Sequence, residues 1–242
     1  MHSPYKRIVP GAESVVLFVH GIVSTPRFFD DFVPLVPDDW SVHSLLLPGH
    51  GGSVTDFGRH SAKAWTAHVR ASLDELRASH KRVYIVAHSL GTLLMIRQAV
   101  QDDARIAGML LLCVPLRIWV KPSAMVKNAL KGVGLRKEQD LHTYYGTAQD
   151  WRVWRYVRWI PRYLELFQES AAARREAAQV RVPCIVYMAQ QDELVSLRGG
   201  EILRANPAMD VRMLPASHHH DFPPQDKAVL LAAFREMCGF NV

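Results

Sequence analysis

Cysteine is scarce in this sequence: Cys113, Cys184 and Cys238 are the only three in 242 residues. An odd, widely spaced set makes a poor disulfide framework, and no pair has the spacing of a zinc site. A reducing cytoplasm is therefore the expected home. Long hydrophobic runs are also missing. The longest, Ile106 to Pro115, has about 10 residues, against the roughly 20 that cross a bilayer. Met1–Arg7 leads into no apolar stretch with a small-residue cleavage site, so no secretory signal is expected. Internal repeats, low-complexity segments and nucleic-acid-binding motifs are absent, and no nucleic-acid partner is expected. What is present is a composition of 49% hydrophobic and 21% charged residues. That is wrong for a disordered chain and ordinary for a globular one. The length suits one large domain, or one domain carrying an insertion.

Six short apolar runs read as buried strands: Val15–Val19, Val42–Leu47, Val83–Ala87, Met109–Val114, Cys184–Ala189 and Asp210–Leu214. They are rich in Val, Leu and Ile and mostly do not alternate with polar residues, as parallel strands covered on both faces do not. Helical patterns lie between them. Thr25-Pro26 supplies an N-cap and a first-turn proline for a helix running toward Leu35. Others span Ser61–Ser79, Ser89–Val100 and Asp226–Met237. Strands alternating with helices predict an α/β fold with a doubly wound, mostly parallel sheet. The alternation stops between about Arg117 and Gln179, a stretch that holds four of the six tryptophans, and resumes at Pro183. A helical insertion over 117–179 is expected, with the core made by 1–116 and 180–242. Pro161 should split the insertion into two helices.

The sharpest chemical signal is Val83–Gly91, where an apolar strand runs into Ala87-His88-Ser89-Leu90-Gly91 and a helical pattern follows at once. A serine on such a tight strand-to-helix turn holds its Oγ out from the backbone. The next N–H, that of Leu90, opens the helix and faces the place where an oxyanion would form. The elbow needs small residues on both sides of the serine; Gly91 meets this, and Ala87 replaces the usual first glycine. A helix N-cap serine is the plainer alternative for Ser89. The second signal is Leu17–Ile22, where His20-Gly21 ends the first strong strand and can aim the Ile22 N–H at the same oxyanion.

His20-Gly21, Leu47-Pro48-Gly49-His50-Gly51 and His88-Ser89-Leu90-Gly91 occur in the order and rough spacing of α/β-hydrolase serine enzymes. The chain most resembles the monoacylglycerol lipase and carboxylesterase branch, over nearly its whole length apart from the insertion. The resemblance implies the order nucleophile, acid, histidine. Asp192, just past the strand Cys184–Ala189 in Asp192-Glu193-Leu194-Val195, takes the acid position; Glu193 is its nearest rival. Leu214-Pro215-Ala216-Ser217-His218-His219-His220 resembles the family's histidine segment in a register that selects His219, with His218 and His220 as alternatives. Adjacent histidines seldom converge on one ion, so no metal is expected there. The implied triad is Ser89, Asp192 and His219, with Ile22 and Leu90 as oxyanion donors and no cofactor.

Between Arg117 and Arg175 there are 12 Lys or Arg against 5 Asp or Glu, an excess larger than the net +6 of the whole chain. By the resemblance, this insertion is a cap that lines an acyl pocket. A Trp- and Arg-rich cap could touch a lipid interface transiently, or simply present a solvated basic face. The expected activity is hydrolysis of carboxylic esters, monoacylglycerols or similar small acyl esters. Thioesterase, lysophospholipase, peptidase or acyltransferase chemistry on the same residues is the alternative, as is a non-catalytic binding protein of the same fold.

Overall fold

The computed structural model describes residues 2–119 and 152–240. Its seven-stranded sheet has the order β1-β3-β2-β4-β5-β6-β7, with β1 Tyr5–Arg7, β2 Ser14–Val19, β3 Ser41–Leu45, β4 Arg82–His88, β5 Ile106–Leu112, β6 Cys184–Ala189 and β7 Met209–Leu214. Only β1 runs antiparallel; every other neighbouring pair is parallel. Because side chains alternate along a strand, each strand feeds two cores. Val15, Leu17 and Val19 point to the side covered by α2 Ala62–Ser79, α3 Leu90–Gln101 and α4 Ile160–Glu176. Val16 and Phe18 point to the other side, against Phe28, Phe29 and Phe32 and against α6 Pro224–Cys238 through Phe234. Burial on both faces is why the strand sequences read as continuous apolar runs.

All six expected strands are present, shifted by a few residues at their ends. Four features differ from expectation or were not foreseen. The helix expected from Thr25 toward Leu35 is instead two short 3-10 turns, Pro26–Phe29 and Val33–Leu35. Pro34 lacks the N–H that a continuous helix would use, so the helix cannot run through. The edge strand β1, the short helix α1 (Val54–Arg59) and α5 (Arg198–Arg204) were not anticipated.

Of the expected insertion, 120–151 lies outside the described residues. The remainder is a 3-10 stretch, Val153–Trp159, leading directly into α4, with Pro161 in the first turn of α4, where a missing N–H costs nothing. α4 buries Leu166, Ser170 and Ala173 against the core, and Ser170 Oγ donates to the Pro115 carbonyl at 2.6 Å. Trp159 Nε1 donates to the Val54 carbonyl at 2.8 Å, and Glu165 accepts the Ala62 N–H at the start of α2 at 2.8 Å. No helix among the described residues is long and apolar enough to cross a membrane.

Candidate active site

Four loops meet at the carboxyl ends of the parallel strands, where ligands bind in open α/β sheets. They follow β2, β4, β6 and β7. At the end of β4, Ser89 takes φ +50° and ψ −119°, a conformation that costs a non-glycine residue of order 1–3 kcal/mol. Local hydrogen bonds hold it there. Its N–H donates to the Leu112 carbonyl (2.9 Å), and its own carbonyl accepts from Thr92 N–H (2.9 Å) and Thr92 Oγ1 (2.6 Å). The sharp turn presses α3 onto the end of β2. A Cβ on Gly91 would sit 2.2 Å from the Val19 carbonyl oxygen, so no side chain fits at that position.

The loop after β2 comes equally close. A Cβ on Gly21 would lie 2.9 Å from Ser89 Cβ, which places His20-Gly21-Ile22 directly against the serine. His20 fixes this loop through both ring nitrogens: Nδ1–H donates to the Gly21 carbonyl (2.8 Å) and Nε2 accepts the Leu47 N–H (3.0 Å). That pattern requires a neutral ring. Burial first, and the neighbouring His50 second, hold the His20 pKa well below its ordinary value. Leu90 is the first residue of α3, and its N–H is one of the four that a helix leaves without an internal partner.

Beyond β6, Asp192 is 5% exposed and both its oxygens are used. Oδ1 accepts the Leu194 and Val195 N–H groups, each at 2.8 Å, and Oδ2 lies 2.7 Å from His219 Nδ1. Burial alone would raise this carboxyl's pKa. The His219 charge and hydrogen bond and the two backbone N–H groups more than offset it, and the net shift is downward.

Beyond β7, His219 is 2% exposed, and its Nε2 lies 2.9 Å from Ser89 Oγ. Its Nδ1–H therefore donates to Asp192, while Nε2 accepts from the serine. His218 points away: its side chain is 52% exposed, with Nδ1 3.5 Å from Glu193. His220 packs at the edge of the cluster, its ring centroid 5.1 Å from that of His88. Glu193, the rival acid, does not touch the imidazole of His219; its Oε2 accepts the His219 backbone N–H at 3.3 Å. Ser89, Asp192 and His219 thus form one hydrogen-bonded chain from three loops.

Sequence reasoning missed one supporting residue, Asp226, and expected another, His88, as a hydrogen-bonding support rather than the base. Asp226, in the first turn of α6, accepts from Ser217 Oγ (2.6 Å) and from the Ala216 N–H (3.0 Å), anchoring the histidine loop to the last helix. The acid at that helix start was visible in the sequence, but its partner was not. His88 Nε2–H donates to the His219 carbonyl at 2.9 Å, and its ring stacks on Phe28 at a centroid distance of 4.0 Å. Burial, with the nearby His219 and His220, keeps His88 well below its ordinary pKa, so it acts here as a neutral donor.

Among the described residues, His88, Cys113 and His219 form the one group whose potential metal-ligand atoms lie within 4.8 Å of one another. The trio is poorly equipped to hold an ion. Burial, and then the Asp192 charge, keep the Cys113 thiol protonated well above its usual range, and both nitrogens of His219 are engaged.

The fold agrees with the comparisons. The model of the alpha/beta hydrolase family matches residues 16–234, and the chain belongs to that family. A serine hydrolase-like protein of Danio rerio is 35% identical over 78 residues; the match covers 31% of this chain and 23% of that protein, so the chain matches less than a quarter of that relative's length. Among solved structures, one from work on LipS and LipT, two metagenome-derived lipolytic enzymes, superposes with a TM-score of 0.73 at 18% identity, covering 98% of this chain and 97% of the other. A Paleococcus ferrophilus monoacylglycerol lipase superposes with a TM-score of 0.68 at 18% identity, covering 99% of both chains. At these identities the likeness concerns the fold.

Proposed function

We propose that the protein is a serine hydrolase that cleaves carboxylic esters through an acyl-enzyme on Ser89. The observation that carries this reading is the unbroken chain Ser89 Oγ, His219 Nε2, His219 Nδ1, Asp192 Oδ2, with links of 2.9 and 2.7 Å. His219 takes the hydroxyl proton as Ser89 Oγ attacks the ester carbonyl. Asp192 holds the imidazole in the tautomer that can accept that proton and stabilises the imidazolium that results. The carbonyl oxygen, now anionic, is received by the N–H groups of Leu90 and Ile22, each on a backbone held close to Ser89. His219 then returns the proton to the leaving alkoxide. Water, activated by the same imidazole, releases the acid and frees the serine.

The substrates proposed are monoacylglycerols or similar small acyl esters, in a pocket partly covered by residues 117–179 acting as a cap on the core of 1–116 and 180–242. Lipid-interface contact through that cap belongs to the same proposal, as does a cytoplasmic location. A thioester, a lysophospholipid or a peptide would use the same three residues and differ in the leaving group.

A p-nitrophenyl ester series of increasing acyl length, run beside Ser89→Ala, tests the reading. Turnover by the wild type with an optimum in chain length is expected. Ser89→Ala should lose about 10³-fold or more while keeping its fold. No ester turnover by a folded wild type would overturn the esterase reading and leave the thioester, peptide and binding-protein alternatives.

A further inference from the structure

One face of α4 carries an arrangement that the Ser89 chemistry does not use. Phe167, Ser170, Ala171 and Arg174 fall at i, i+3, i+4 and i+7, one face of the helix. This face, the segment Leu116–Trp119, and Ser196 and Arg198 line an open cavity of about 450 Å³. Arg117, Arg174 and Arg198 all line it, and among the described residues no carboxylate does.

The absence of acids follows from how α4 is oriented. Glu169 and Glu176 both pair with Arg97 of α3, at 2.6 and 3.4 Å, and Glu165 binds Arg162 and the start of α2. The helix thus spends its acids on the core side, and among the described residues Arg117, Arg174 and Arg198 have no ion-pair partner. Beside them, two large apolar side chains face solvent: Trp119 is 67% exposed and Phe167 is 50% exposed. Guanidinium groups bind carboxylate and phosphate through paired hydrogen bonds, and a concave site with apolar walls strengthens the attraction.

We propose that this cavity binds an anionic amphiphile, a phosphate or carboxylate head held by Arg117, Arg174 and Arg198, with its alkyl chain laid on Trp119 and Phe167. The site is joined to the acid loop. Ile118 pairs with Val195, the Trp119 N–H donates to the Leu194 carbonyl at 2.9 Å, and the Ser196 N–H donates to the Arg117 carbonyl at 2.8 Å. Leu194 and Val195 are the residues whose N–H groups hold Asp192. The ligand therefore sits against the same ladder that fixes the triad carboxylate.

The test is calorimetric titration of the wild-type protein with octyl phosphate below its micelle concentration, with octanoate, octyl glucoside and inorganic phosphate as comparison arms. Octyl phosphate should bind at least about tenfold more tightly than octyl glucoside and than inorganic phosphate, and more weakly as salt rises. Arg174→Glu and Arg198→Glu should each weaken it about tenfold or more, with circular dichroism unchanged. Arg175→Glu, an exposed neighbour outside the cavity lining, should leave the affinity unchanged. Octanoate binding as well as octyl phosphate marks a general anion site, and octanoate failing marks a phosphate site; either supports the proposal. Equal binding of octyl glucoside, equal loss in Arg175→Glu and Arg174→Glu, or no heat at millimolar octyl phosphate overturns it. Binding is read without turnover, so this result and the esterase assay succeed or fail separately.

Discussion

Replacing Asp192 by asparagine separates the two jobs of its carboxylate. Oδ1 accepts two backbone N–H groups, from Leu194 and Val195, and Oδ2 accepts His219 Nδ1–H. An asparagine can meet the first demand only by turning its carbonyl oxygen toward the two N–H groups; the reverse orientation sets its own amide donors against them. Its NH₂ then faces His219 Nδ1. A donor at that position forces the ring proton onto Nε2, pointing at Ser89 Oγ, and the base can no longer accept the serine proton. Asp192→Asn should therefore keep the loop and lose about 10⁴-fold in kcat, about 5 kcal/mol of transition-state stabilisation. Glu193→Gln retains an oxygen for the His219 backbone N–H, a long contact of 3.3 Å, and should lose less than about tenfold. The assay is pre-steady-state and steady-state hydrolysis of p-nitrophenyl butyrate, with near-ultraviolet circular dichroism on each variant. The depressed pKa of Asp192 adds a second readout. Its contribution to stability is present above the ordinary carboxylate range and is lost as pH falls through the lowered value, so Asp192→Asn should flatten the acid unfolding curve. If Asp192→Asn kept more than about a tenth of wild-type kcat, or matched Glu193→Gln, Asp192 would not orient the base.

His219→Ala should be as damaging as Ser89→Ala, while His218→Ala and His220→Ala keep measurable kcat/KM, since only the ring of His219 lies between Ser89 and Asp192; an inactive, folded His218→Ala would contradict the assignment. Gly91→Ala places a Cβ 2.2 Å from the Val19 carbonyl oxygen, and a loss of about 1–3 kcal/mol or more is expected in urea unfolding; a wild-type midpoint would show that the elbow is looser than described. Burial holds His20, His50 and His88 neutral, with His50 lowered from 6.5 to about 4. The unfolded chain takes up these protons first, so stability should fall as pH drops below the ordinary imidazole value. His50 alone accounts for about 2 kcal/mol by about pH 5, and a urea midpoint that does not change between pH 7 and 5 would refute it.

The sheet and the three side chains of the proposed triad could be read in the sequence because each leaves a local mark. β4 is a run of buried apolar residues, Ser89 sits between it and a glycine that no side chain can replace, and the acid and histidine follow strands of the same kind. The missed elements lack such marks. β1 is three mostly exposed residues at an edge, with no apolar run. α5 contains Gly199-Gly200, poor helix formers that are tolerated because their faces meet Leu116 and Met188. α1 did carry a signal, the capping box of Ser53 and Asp56, but its six residues are too few to show helical periodicity. The Asp226 to Ser217 support spans only nine residues, but it depends on how the histidine loop folds back onto the last helix, which no local pattern shows. The cavity on α4 was invisible for the same reason: the insertion's basic excess was countable, but which arginines the carboxylates neutralise is set by how the helix turns.

The most direct test of the central claim is to trap the acyl-enzyme or its mimic. The protein would be incubated with a fluorophosphonate, its intact mass measured, and the modified peptide sequenced by tandem mass spectrometry. One adduct per chain, on Ser89, is the expected result, with no adduct on folded Ser89→Ala and strongly slowed labelling of His219→Ala. An adduct on another serine, persistent labelling of Ser89→Ala, or no adduct on a wild-type protein that turns over esters would contradict the account.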